Sequence, residues 1–127
     1  MIPTPQVPIS WGELIDKITI LEIKTERLSD PAARANAGRE LALLRDAAAP
    51  GWDQVAALTA ELKALNQTLW EIEDRIRGHE RDGDFGAGFV GLARAVYRNN
   101  DMRGALKRRI DQALGSTLTE EKSYQPY

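Results

Sequence analysis

Val55, Leu58, Leu62, Leu65, Leu69, Ile72 and Ile76 recur alternately three and four positions apart, the spacing of a helix that packs along one seam. A run this long cannot be a strand, whose faces alternate with period two. The spacing predicts a helix from about Trp52 to Arg81. Upstream, Ser10 opens "SWGE", in which the serine caps a helix and Glu13 reaches back to the serine N–H. The helix that follows carries Leu14, Ile18, Leu21, Thr25 and Leu28 on one face, with Ile20 and Ile23 opposite. A helix apolar on two sides is sandwiched in a bundle or shared with a second subunit. The second of these options predicts a homo-oligomer.

The remaining boundaries follow from capping chemistry. Asp30-Pro31 starts a second helix presenting Ala37, Leu41, Leu44 and Ala48, and "APG" at Ala49 to Gly51 ends it. "RDGD" breaks the long helix, and Asp84 is expected to cap a fourth, with Phe85, Phe89, Leu92 and Val96 facing inward. Asn99 or Asn100 is expected to cap a fifth, which carries Met102, Leu106, Ile110 and Ala113 and stops at Gly115. The expected fold is all-α: one helical domain over residues 1–127, a bundle of four to five helices, with extended arms at 1–9 and 116–127.

A chain of 127 residues can bury a core without staples, and it has no cysteine to staple with. Seventeen basic and nineteen acidic residues leave a net charge of −2, which argues against a nucleic-acid or membrane partner. Pro3, Pro5 and Pro8, without a basic residue or long apolar run, do not form a signal peptide. The expected location is cytoplasmic.

Helical-wheel positions bring several polar groups into the apolar sectors. Glu22 falls inside the apolar face of the first helix, and Asn66, Glu73 and Glu80 recur every seven residues beside Leu62, Leu69 and Ile76, with Arg77 adjacent. Arg94, Arg98, Arg103, Lys107, Arg108 and Arg109 form the strongest local charge bias. A solvated bundle edge explains these as well as a site does. The functional expectation is a charged pocket at one end of the bundle. It would be built from Glu22, Asn66, Glu73, Arg77, Arg94, Asn99, Asn100, Asp101, Arg103 and Lys107, with Glu120, Glu121, Lys122 and Tyr124 folding back from the tail. Arg103 and Lys107 beside a helix start at Asn99 or Asn100 would favour a small phosphate- or carboxylate-bearing ligand. Catalytic residues are not identified, and no cofactor or metal is expected.

Other motifs lack their context. "GAGFVG" at Gly86 to Gly91 matches G-x-G-x-x-G, but "HERDGD" before it cannot be a buried strand. Glu13/Asp16 and Glu71/Asp74 are E-x-x-D pairs suited to magnesium, similar to those of all-α nucleotide pyrophosphatases. However, Glu13, Asp16 and Glu71 point away from the main apolar stripes. His79 is the only histidine and has no glutamate three residues before it, so a di-iron bundle is excluded. It reads as a surface residue.

"GELIDKITILEIK" (Gly12 to Lys24), "LWEIEDRIR" (Leu69 to Arg77), "LARAVYRNNDMR" (Leu92 to Arg103) and "EEKSY" (Glu120 to Tyr124) resemble a family of small bacterial proteins, domain of unknown function 6165. The resemblance implies a bacterial, all-helical protein with a setting near cell-surface polysaccharide functions. It implies no activity or catalytic residue. Three function classes follow from the residues: an anion-binding module, a homo-oligomeric interaction or scaffold protein, and a magnesium-dependent nucleotide pyrophosphohydrolase. Whether the protein is an enzyme stays open.

Overall fold

A computed structural model describes residues 1–127. The chain is all-helical, in the order α1 (Trp11–Arg27), α2 (Pro31–Ala48), a 3-10 segment (Ala49–Val55), α3 (Ala56–Asp82) and α4 (Ala87–Ala113). No helix is long and apolar enough to cross a membrane.

Caps set most of these ends. Ser10 Oγ accepts the Glu13 N–H at 3.1 Å, and Asp30 Oδ1 accepts the Ala32 N–H at 3.2 Å with proline at the first position. Gly83 ends α3 in the left-handed region at φ 66, a conformation that favours glycine. Asp84 is not the cap of α4. Gly86 holds that position, and Asp84 Oδ1 instead accepts the Gly86 N–H at 3.1 Å.

α1 is the central element, touching α2, α3 and α4. Leu14, Ile15, Ile18 and Leu21 enter the main core and Ile23 is also buried, while Ile20 is only partly covered. That core adds Ala37, Leu41 and Ala48 from α2, Val55, Leu62 from α3 and Ile110 from α4. Beyond Ile72 on α3 and before Leu92 on α4 no residue is buried, so the two helices continue as a thin hairpin. Its tip is closed by Phe85 edge-on to Phe89 at 5.2 Å and by His79 against Phe89. His79 is thus half-buried, with its ring held at Gly88 and the Asp84 carbonyl, rather than solvated.

Two expectations are corrected. The break at Asn99 and Asn100 does not occur, because α4 runs unbroken through both. Asn99 Nδ2 donates to the Ala95 carbonyl at 2.8 Å within the helix, so its side chain is not a cap. That removes the fifth helix from the expected four to five. The expected extended arms are not seen either. Residues 1–9 are exposed without regular structure, and residues 116–127 are bonded back onto α4.

α1 and α4 meet at Gly12, where an added Cβ would lie 2.3 Å from the Lys107 carbonyl oxygen and 2.9 Å from Asp111 Oδ1. Backbone cannot swing aside as a side chain can, so the helices would have to part. Gly12→Ala is expected to destabilise the fold by about 1–3 kcal/mol. Gly38→Ala, with nothing within 4 Å of its new methyl in mid-α2, should stabilise by about 0.5–1 kcal/mol. Urea unfolding of the two variants tests the contrast. Equal effects would mean that α1 and α4 are not pressed together at Gly12.

Candidate functional site

The most buried charge in the chain is Asp16, with no accessible surface, on the face of α1 that carries Gly12, Thr19 and Ile23. A buried carboxylate is costly unless its oxygens are saturated with donors. Here they are. Asp16 Oδ1 accepts from Asn66 Nδ2 on α3 at 2.9 Å and from Arg103 Nε on α4 at 2.9 Å, while Oδ2 accepts from Arg103 Nη2. Asn66 Nδ2 also donates to Thr19 Oγ1 at 2.9 Å, and that hydroxyl donates to the Asp16 carbonyl at 2.8 Å. The ion pair joins α1 to α4, and the Asn66 amide ties in α3. The hydrogen bond to Asp16 is the chief cause raising the Arg103 pKa, against the opposing effect of burial.

One turn along, a second polar cluster fixes the tail. Asp111 Oδ1 accepts the Gly12 N–H at 2.6 Å, and its Oδ2 accepts the Glu120 N–H at 2.9 Å. Lys107, whose side chain is 9% exposed, bridges Glu13 at 2.7 Å and Glu120 at 3.0 Å. Burial pushes the Lys107 ammonium down, but its hydrogen bonds to Glu13 and Glu120 more than offset this, and its pKa is raised above the ordinary lysine value. Arg108 donates to the Glu120 carbonyl at 2.7 Å and pairs with Glu121 at 3.2 Å. Lys122 crosses Gly104, donates to the Asn100 carbonyl at 3.2 Å and lies 5.3 Å from the Tyr124 ring centre. Tyr127 stacks on Tyr97 at 5.1 Å, and its phenol pKa is raised, chiefly by a hydrogen bond to Asp101.

Arg103 lines three pockets; the smallest, of about 280 Å³, is shared with Glu13, Asp16, Lys17 and Glu40, and the other two are larger. One, of about 470 Å³, lies between α4 and the tail, lined by Asn100, Asp101, Arg103, Lys107, Glu120, Lys122 and Tyr124 among others. The second, of about 440 Å³, lies between α1, α3 and α4 and includes Asn66, Glu73, Arg77, Asn100 and Arg103. Val96, Asn100 and Arg103 belong to both. The pockets sit along the flank of the bundle rather than at its end, because the α3–α4 hairpin continues past them.

Four expected site residues lie elsewhere. Glu22 pairs with Arg45 at 2.7 Å and approaches Lys63 at 3.9 Å, linking α1 to α2 and α3 away from Arg103. Arg94 is exposed and lines neither pocket, and Asn99 faces a different groove between α3 and α4. Glu121 is engaged by Arg108 outside both pockets. Glu73 does line the second pocket, but as an exposed partner of Arg77 at 3.2 Å; it does not hold Arg103. Asp16 and Asp111 were missed. Asp16 lies outside the apolar stripe, and the only signal is its register with Gly12, Thr19 and Ile23, where the small Gly12 and polar Thr19 weaken the hydropathy pattern.

Three of the four carboxylates needed for a magnesium site are committed to cations. Glu13 is held by Lys107, Asp16 by Arg103 and Glu71 by Arg27 at 3.2 Å. No three histidine, aspartate or glutamate side chains converge.

Two tests follow. Arg103→Ala leaves Asp16 buried and short of donors and should cost about 3–5 kcal/mol. Asp16→Ala should cost less, since the Arg103 side chain is 29% exposed and can turn to water. Urea unfolding of both singles and the double variant checks this; strict additivity would contradict the pair. The second test concerns pH. A raised lysine pKa contributes stability that is full below its ordinary value and lost as the pH climbs through the raised one. The stability advantage of the parent over Lys107→Gln should therefore hold at pH 8 and shrink above about pH 10.5. An advantage independent of pH would contradict the Lys107 bridge.

No curated protein and no solved structure matches the chain. A family model covers residues 5–126, which takes in every helix, the Asp16–Arg103 pair and nearly all of the tail. The resemblance carried by the four sequence blocks is thereby shown, and the chain belongs to the family of unknown function DUF6165.

Proposed function

We propose that this protein binds a small phosphate- or carboxylate-bearing anion at the open edge of Arg103. The observation that carries the reading is the division of labour on one guanidinium. Nε and Nη2 are consumed by Asp16, while Nη1 makes no hydrogen bond within the chain, and Arg103 lines both pockets. An arginine already fixed on one side loses little further freedom when an anion takes the other. Lys122, which donates to the Asn100 carbonyl and lies over the Tyr124 ring, supplies a second cation to the first pocket.

Charge alone does not support the reading. The pocket linings balance Asp101, Glu120, Glu73 and Asp74 against Arg103, Lys107, Lys122 and Arg77. Recognition therefore rests on placed donors rather than on a broad positive field, which predicts selectivity by shape and only modest dependence on salt.

Titration with inorganic phosphate, acetate and citrate at constant ionic strength, following the Arg103 Nε–H resonance by NMR, tests this. At least one anion should shift that resonance saturably, and Lys122→Ala should weaken the response. Arg103→Lys keeps a charge for Asp16 but loses the planar fork, and its binding should fall about tenfold or more. Unsaturable shifts, or equal binding by Arg103→Lys, would overturn the proposal.

A further inference from the structure

Asn66 is 5% exposed, yet only half of its amide is used. Its Nδ2 must face Asp16, because a carboxylate oxygen accepts and cannot donate; this fixes the amide orientation and turns Oδ1 the other way. Oδ1 accepts nothing from the chain. Nor is it sealed in, since Thr59 Oγ1 is the one fully buried side-chain polar atom without a partner. Asn66 lines the second pocket, so the oxygen opens there. A nearly buried acceptor left open to a cleft is a request for a donor.

Asn66 Nδ2 and Arg103 Nε bind the same Asp16 oxygen at 2.9 Å each, so the two side chains adjoin. The cleft consequently offers a fixed acceptor beside a fixed cationic donor. Around them stand Ile20, Ile23, Leu69, Trp70 and Val96, an apolar wall on three helices. Resting on the anion site proposed above, we infer that the second pocket takes an amphiphilic anion. Its charge meets Arg103 Nη1, an N–H or O–H close to that charge donates to Asn66 Oδ1, and its apolar body lies along Trp70. An N-acyl amino acid has this chemistry in its simplest form.

The probes are N-octanoylglycine, its N-methylated counterpart N-octanoylsarcosine, and N-acetylglycine, each below its self-association concentration. Binding to the full chain is measured by calorimetry and by NMR of the Arg103 Nε–H and the Trp70 indole N–H, the latter assigned with Trp70→Phe. N-octanoylglycine should move both signals. The sarcosine analogue leaves Asn66 Oδ1 unpaired and should bind about tenfold or more weakly. N-acetylglycine, without an apolar body, should bind about tenfold or more weakly as well. Binding of the two octanoyl compounds within about twofold, or an unmoved Trp70 signal, would overturn the inference. If phosphate still saturates Arg103 in that case, the anion site stands without this ligand class. If neither phosphate nor acylglycine moves Arg103, both readings fall.

Discussion

The carboxylate of Asp16 is almost wholly shielded from water, and the architecture around it is the consequence. Three donors from two helices must reach one side chain on a third, so the relative positions of α1, α3 and α4 are tied to one point. Apolar packing alone tolerates sliding between helices, whereas a charge that cannot find water tolerates very little. Net stability is not the main return from such a pair, because desolvation offsets most of the attraction. Its return is register. One helical turn before Asp16, Gly12 lets α4 approach closely enough for Asp111 to take the Gly12 N–H. Both contacts require the same alignment of α1 against α4.

The tail is the second consequence. A segment as polar as "TEEKSY" has no core of its own and needs specific partners to offset the entropy of ordering. Asp111 and Lys107 are both anchored to α1 before they meet Glu120, so the tail docks on groups whose positions are already set. Docking turns one flank of α4 into a pocket wall. The buried pair, the tail and the cleft are thus linked in one chain of dependence. Disturbing Arg103 changes the first directly and the others through it.

The sequence made the helical fold and most helix ends legible, because heptad spacing, caps and "RDGD" are local signals. Two failures have a shared physical origin. "NNDMR" reads as a break because polar residues interrupt an apolar stripe, yet α4 continues, with Asn100 and Arg103 lining the cleft between α1, α3 and α4. By wheel position Glu22 falls in the apolar sector of α1, while Asp16 points away from it. Hydropathy periodicity cannot separate a carboxylate shielded by an arginine from one facing water, since the partner lies 87 positions away. Arg103, Lys107 and the tail were legible as a cluster, and Lys107 and Glu120 do meet. What held them in place was not legible, because Asp16 and Asp111 act across helices.

Arg103 is fixed along one edge by Asp16 and open along the other. Guanidinium NMR on the ligand-free protein tests it most directly, since the nitrogens of one arginine side chain can be resolved when rotation is blocked. The structure predicts slow solvent exchange at Nε–H and Nη2, a separate Nη1 signal, and fast exchange at Nη1 alone. A single averaged Nη signal would show a freely turning guanidinium, and the Asp16 anchor with the open donor built on it would be refuted.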